Sequence, residues 1–132
     1  MICALTLLGF AGLQLNDPDP IRWVSFYILC ALVPLFLVFN IYSSPLFLLA
    51  VAACLLCLAV AGPGAVEYYR HMDQELLMQS MNPDKPYIEE AREFLGALIA
   101  LGLVIISGLM ARNRYLKVYI RAFKGKKITV PD

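Results

Sequence analysis

Three stretches of this sequence are long, apolar and almost free of charge. Residues 21–42 carry no charged side chain after Arg22, and residues 45–61 and 94–111 carry none at all. A helix needs about 20 mainly apolar residues to cross a hydrocarbon core of about 30 Å. Inside lipid every backbone N–H and C=O must find a partner within the protein, which leaves a helix as the economical solution for a single run. The composition agrees, at 61% hydrophobic and 16% charged with a mean hydropathy of +0.71. A soluble domain carries about 25% charge. The fold class expected is therefore an all-α membrane protein.

Residues 1–15 are also apolar but shorter, about 22 Å as a helix. They lack the basic start of a signal peptide and read as a short first span, one with a natural start that is trimmed or misassigned. Counting it gives four transmembrane helices in an up-down bundle, with spans at about 1–15, 21–42, 45–61 and 88–111. Pro34 is expected to kink the second span or leave a carbonyl free. The short connection 40–45 makes spans two and three antiparallel neighbours. Gly62-Pro63-Gly64 is expected to stop the third. In the long connection that follows, Val66, Tyr69, Met72 and Leu76 recur at three- and four-residue steps, which predicts a short amphipathic helix. The last span carries small-residue pairs at i, i+4 (Gly96 with Ala100, Ser107 with Ala111) that permit close helix approach. Beyond it, Tyr115, Leu116, Tyr119, Ile120 and Phe123 recur on one side and Lys117, Arg121 and Lys124 on the other. Residues 112–132 are thus expected to form a basic amphipathic helical tail, separate from the four-span domain 1–111 and continuous with or closely following the last span.

The net charge of +1 conceals a division. Residues 16–94 hold nine acids and four bases, a balance of −5, whereas residues 112–132 hold seven bases and one acid, a balance of +6. Basic segments next to spans stay on the cytoplasmic, matrix or stromal side. The junction at 14–27 and the connection at 62–90 then share the opposite, acidic side.

That junction is the most distinctive polar stretch: Gln14-Leu-Asn-Asp-Pro-Asp-Pro20, followed by Trp23 and Tyr27. Pro18 and Pro20 push Asp17 and Asp19 out of helical geometry and donate no N–H. Asn16 suits a left-handed helix end. Asp19 suits the N-cap of the next helix with Pro20 at its first position, and Trp23 and Tyr27 suit a membrane–water boundary. Caps and a turn account for all of it, while a second reading lets Asp17 and Asp19 contact something outside the turn. Arg92 is the one guanidinium at the head of the last helix, and its planar fork would tie the loop down, with Asp17 the favoured acceptor.

The junction motif with Trp23 and Tyr27 resembles the signature of the transmembrane protein 220 family. Glu90-Ala-Arg-Glu93 followed by Phe94-Leu-Gly96 resembles that family's second marked stretch, and together the resemblance covers about residues 5–110. It implies a small bundle of four membrane helices and brings no reaction, ligand or catalytic residue.

The remaining polar residues offer little chemistry. Cys3, Cys30, Cys54 and Cys57 lie in apolar runs and read as small packing residues, with Cys54 and Cys57 not bonded to each other. His71, the only histidine, heads a His-x-Asp-x-Glu run that fits one helix face badly and lacks the companions of a zinc or di-iron site. Glu89 and Glu93, at i, i+4, suit the positive end of a helix dipole. They could bind a cation or shuttle a proton if Asp17 or Asp19 approached them. No phosphate loop, nucleophile elbow or paired histidines occur. The expectation is a non-enzymatic protein without cofactor or metal, with bound lipids, and with membrane lipids and other membrane subunits rather than nucleic acid as partners. Its expected role is a structural or assembly (accessory) subunit of a larger complex, a respiratory-chain or other bioenergetic one in the mitochondrial inner membrane being favoured. The alternative is a small-ligand or cation-handling membrane protein using Asp17, Asp19, Glu90 and Glu93.

Overall fold

The computed structural model describes residues 1–16, 19–73, 76–78 and 84–126. Among them the structure is all-helical: α1 (Ile2–Leu13), a 3-10 turn (Gln14–Asn16), α2 (Pro20–Val38), α3 (Ser44–His71) and α4 (Pro86–Lys126). Three helices among the described residues, α2, α3 and α4, are long and apolar enough to cross a membrane. The expected first span is the 12-residue α1, about 18 Å long.

Several expected boundaries move, each for a packing reason. The Gly62-Pro63-Gly64 run does not end the third helix, since α3 continues through it to His71. Pro63 removes one N–H from the helical ladder, a cost that buried membrane helices tolerate. The same turns are held against α4, with Ala61 2% exposed and Gly64 buried. Glu90 packs directly on Gly64, in the space a Cβ would fill. The predicted amphipathic helix of the third connection is thus no separate element among the described residues. Val66 and Tyr69 belong to α3, Met72 lies in a turn, and Leu76 is not helical.

Asn16 does not adopt the left-handed conformation expected of it, because α1 tightens into a 3-10 turn instead. The backbone N–H of Gln14 reaches back towards the carbonyls of Phe10, Ala11 and Gly12. Left-handed geometry falls to another asparagine, Asn40, at φ 57°. There it closes α2 with a paired cap, the N–H of Asn40 donating to the carbonyl of Leu37 at 3.1 Å and that of Ile41 to Phe36 at 2.9 Å. Pro34 lies inside α2 and is buried.

In space the helices run α1, α2, α4, α3. The most extensive packing is between α3 and α4, α2 lies between α1 and α4, and α1 touches α4 only slightly. Spans two and three, although joined by a short turn, meet far less than α3 and α4 do. The cause is the small-residue stripe of α4. Ala97, Ala100 and Val104 are fully buried, with Ser107 and Ala111 continuing the row at 1% and 6% exposure. Opposite stand Ala50, Cys54 and Ala61. Both rows repeat every seven residues (97, 104, 111; 47, 54, 61), which holds a seam between two helices over several turns. Gly108 admits the ring of Phe47. Without a hydrophobic drive between helices in lipid, such close contact is what holds a bundle together.

α4 is one unbroken helix of 41 residues, about 62 Å long. It runs across position 111 without interruption, and every side chain from Arg112 to Phe123 is exposed.

Candidate functional site at the acidic end of the bundle

The end of α1, the start of α2, the end of α3 and the start of α4 meet at one end of the molecule. His71 stacks with Tyr87, ring centroids 5.5 Å apart. Arg70 and His71 in the last turn of α3 suit the negative end of its dipole. His71 Nδ1 donates to the carbonyl of Glu67 at 3.0 Å, and Arg70 pairs with the Glu67 carboxylate at 3.2 Å. Among the described residues no group of three or more His, Cys, Asp or Glu side chains is arranged to hold a metal ion.

The junction residues divide between backbone and packing roles. Asp19 occupies the N-cap of α2 with Pro20 at the helix start, as expected. Its side chain makes no cap hydrogen bond, however, and the carbonyl instead takes the N–H of Trp23 at 3.4 Å. Asp17 and Pro18 lie outside the described residues, and with them the expected Asp17–Arg92 pair. Trp23 and Tyr27 face the protein interior: each is only 3% exposed. They form an aromatic cluster with Phe26 and Phe10, with edge-on contacts of 5.8 Å (Trp23–Phe26), 5.0 Å (Phe26–Tyr27) and 5.6 Å (Phe10–Tyr27). Arg22, exposed, lies over the Trp23 ring at 5.2 Å, a cation–π contact. The Tyr27 hydroxyl rests on Gly96 of α4, where a Cβ would displace it.

The second stretch fans its charges around α4. Glu90 faces α3 at Gly64. Arg92 pairs with Glu89 one turn back, both side chains about three-quarters buried. Glu93 is half-buried, and at i, i+4 and i, i+7 it heads the row of Ala97 and Ala100. Glu90 and Arg92 thus have different neighbours, Gly64 of α3 and Glu89 of α4.

A cavity of about 300 Å³ lies between α1 and α4. Phe10 and Leu13 of α1 face Leu95 and Ile99 of α4 across it, with Leu77 and Met78 at its rim. Gln14, Tyr27 and Arg92 supply its polar side. The junction and the head of α4 are thus joined at Gln14 and Arg92. Sequence reasoning had reached Arg92, Tyr27 and Gly96 singly but not the cavity, which needs the two helix faces to stand apart. It also missed that Cys30 and Cys54, on different helices, place their Sγ atoms 3.6 Å apart with both thiols free.

The model of a membrane-protein family, described as transmembrane family 220, helix, matches residues 6–109. The chain belongs to the transmembrane protein 220 family. No curated protein and no solved structure matches it. The matched range takes in the 14–27 junction, the Glu90–Gly96 stretch and every residue of the cavity wall, and it ends before Arg112. With three long apolar helices, this member of the transmembrane protein 220 family is an integral membrane protein.

Proposed function

We propose that the protein is a non-catalytic, four-helix membrane subunit that supports the assembly of a larger membrane complex, with α1 as the shortest of four up-down spans. One observation carries this reading. α4 is about twice as long as a hydrocarbon core is thick, so its last turns leave the span. They carry Tyr115, Tyr119, Ile120 and Phe123 exposed, each more than half accessible. Apolar and aromatic side chains outside the lipid call for cover, and a partner subunit supplies it. The basic residues favour the cytoplasmic or matrix side for this tail, and a bioenergetic complex of the mitochondrial inner membrane is the assembly in view. Purification from native membranes in mild detergent tests it. A stable high-mass assembly, lost when residues 115–126 are removed, is the expected result. A monodisperse small particle that is indifferent to the truncation would overturn it.

A second reading, a small-ligand protein working from the acidic end, draws on the cavity between α1 and α4. Its three polar wall residues stand beside an otherwise apolar lining, the usual make-up of a ligand site.

A further inference from the structure

We infer that α4 pairs in parallel with α4 of a second copy of this chain, along one apolar seam running from Leu98 in the span to Phe123 in the extension. The inference rests on the assembly reading, in that a partner covers the exposed end of α4, and it names that partner.

Leu98, Ile105, Leu109, Leu116, Tyr119 and Phe123 are all exposed. With Gly102 and Arg112 they complete an alternating four-three spacing, the a and d positions of a heptad, over about 38 Å of one unbroken helix. Leu98, Ile105 and Arg112 each follow a residue of the buried row, Ala97, Val104 and Ala111, so this seam stands about 100° round from the one against α3. At Gly102 no described atom would lie within 4 Å of an added Cβ, which leaves the backbone open to close helix approach. Inside lipid an exposed apolar face needs no cover. This one keeps its spacing past Arg112, however, and Phe123 lies about 18 Å along the helix beyond Ala111. The headgroup layer is only about 5–8 Å thick on each side, so the lipid surface does not reach the end of the seam.

The placement of charge selects the occupant. Charges at the e and g positions that flank a seam set the choice of partner. In the extension those positions hold Asn113, Tyr115, Ile120 and Ala122, with no charge among them. Arg114, Lys117 and Arg121 fall at b and f, on the far side of the helix. Among the described residues none of these three pairs with a carboxylate. Two copies therefore meet without bringing these bases together, whereas an acidic partner on the seam would leave them unmatched. Two copies inserted in one membrane also share a direction, so their α4 helices meet in register about a two-fold axis. Half-exposed side chains of this size leave roughly 100 Å² open apiece. The six, with Ile106 and Ile120 beside the seam, offer about 800 Å² per copy, the size of a standard stable interface. Arg112 is the one charged residue at an a or d position from 98 to 123. It stands at the membrane edge, where a long side chain turns its charge out to the headgroups, and it weakens self-pairing without preventing it.

Disulfide mapping in native membranes tests the pairing, with single cysteines in a cysteine-free background. Under mild oxidation Leu109→Cys, Leu116→Cys and Tyr119→Cys should each give a covalent dimer, and Lys117→Cys and Arg121→Cys should not. Independently, two differently tagged copies of the otherwise wild-type chain, expressed together, should co-purify in mild detergent. Tyr119→Lys combined with Phe123→Lys should abolish this, and Arg112→Leu should make it several-fold more resistant to rising detergent. Absence of cross-links at 109, 116 and 119, as when lipid or another protein covers the seam, would overturn the pairing. Equal cross-linking at 117 and 121, or a weaker dimer in Arg112→Leu, would overturn it too. A high-mass assembly that holds one copy of the chain and is lost with residues 115–126 would overturn the second copy and uphold the assembly reading. A cross-linked dimer with no further subunit would do the reverse.

Discussion

Gly96 and Gly102 lie on the same helix and differ in what a methyl group would meet. At Gly96 it would meet the hydroxyl of the buried Tyr27, and at Gly102 nothing within 4 Å. Helix propensity favours alanine over glycine by about 1 kcal/mol, so Gly102→Ala is expected to raise stability slightly. Gly96→Ala must push Tyr27 out of its aromatic cluster, and overpacking of this kind costs about 1–3 kcal/mol. Unfolding midpoints of the two variants in one detergent check the contrast, and equal midpoints would refute it. Two ion pairs offer a similar comparison. The Arg70 and Glu67 side chains are 68% and 43% exposed, those of Arg92 and Glu89 26% and 29%. An exposed pair contributes about 0–1 kcal/mol, so Arg70→Ala should be nearly silent. Arg92→Ala should lower the midpoint further and speed amide hydrogen exchange across residues 10–20, since Arg92 shares a cavity wall with Gln14. Little of this was legible beforehand. That Trp23 and Tyr27 are aromatic is plain in the sequence, but aromatic rings suit both a membrane boundary and a packed interior. The fit of Tyr27 onto Gly96 shows the packing, and a single sequence carries no signal for it.

For the helices, legibility followed how local the cause was. The existence of α2, α3 and α4 could be read because a charge-free run in lipid leaves the backbone few alternatives. The N-cap position of Asp19 and the start of α2 at Pro20 were legible for the same reason, because proline acts on its own neighbours. The continuation of α3 through Pro63 was not, since the local signal says stop. What overrides it is contact with α4, through Ala61 and the Glu90–Gly64 fit, more than 25 positions away in sequence. The same limit hid the approach of Cys30 and Cys54. Their Sγ atoms lie 3.6 Å apart across α2 and α3, whereas Cys54 and Cys57 lie on one helix, where bridging would distort a turn. Mild membrane-permeant oxidation is therefore expected to form an intramolecular Cys30–Cys54 bridge, with Cys57 recovered as an alkylated thiol. Peptide mapping after alkylation measures this, and a Cys54–Cys57 product would contradict the helix arrangement.

At the scale of the whole molecule, antiparallel packing fixes which loops share a side before any membrane is considered. The turn after α2 and the base of the α4 extension meet where Tyr42 stacks with Tyr115 at 6.2 Å. The opposite ends meet where His71 stacks with Tyr87 and where Gln14 and Arg92 line one cavity. The charge bias of the sequence, −5 over residues 16–94 and +6 over residues 112–132, leads to the expectation that the first end lies on the cytoplasmic or matrix face. Single cysteines placed in a cysteine-free background at Ser43 and Asn113 should be labelled together by a membrane-impermeant maleimide from that face. Cysteines at Asp73 and Asp84 should be labelled together from the other. The pairing and the absolute orientation fail separately. Labelling of Ser43 and Asn113 from opposite faces would contradict the packing of α2, α3 and α4. Joint labelling from the wrong face would leave the bundle intact and show that the acidic stretch, rather than the basic tail, sets how this chain enters its membrane.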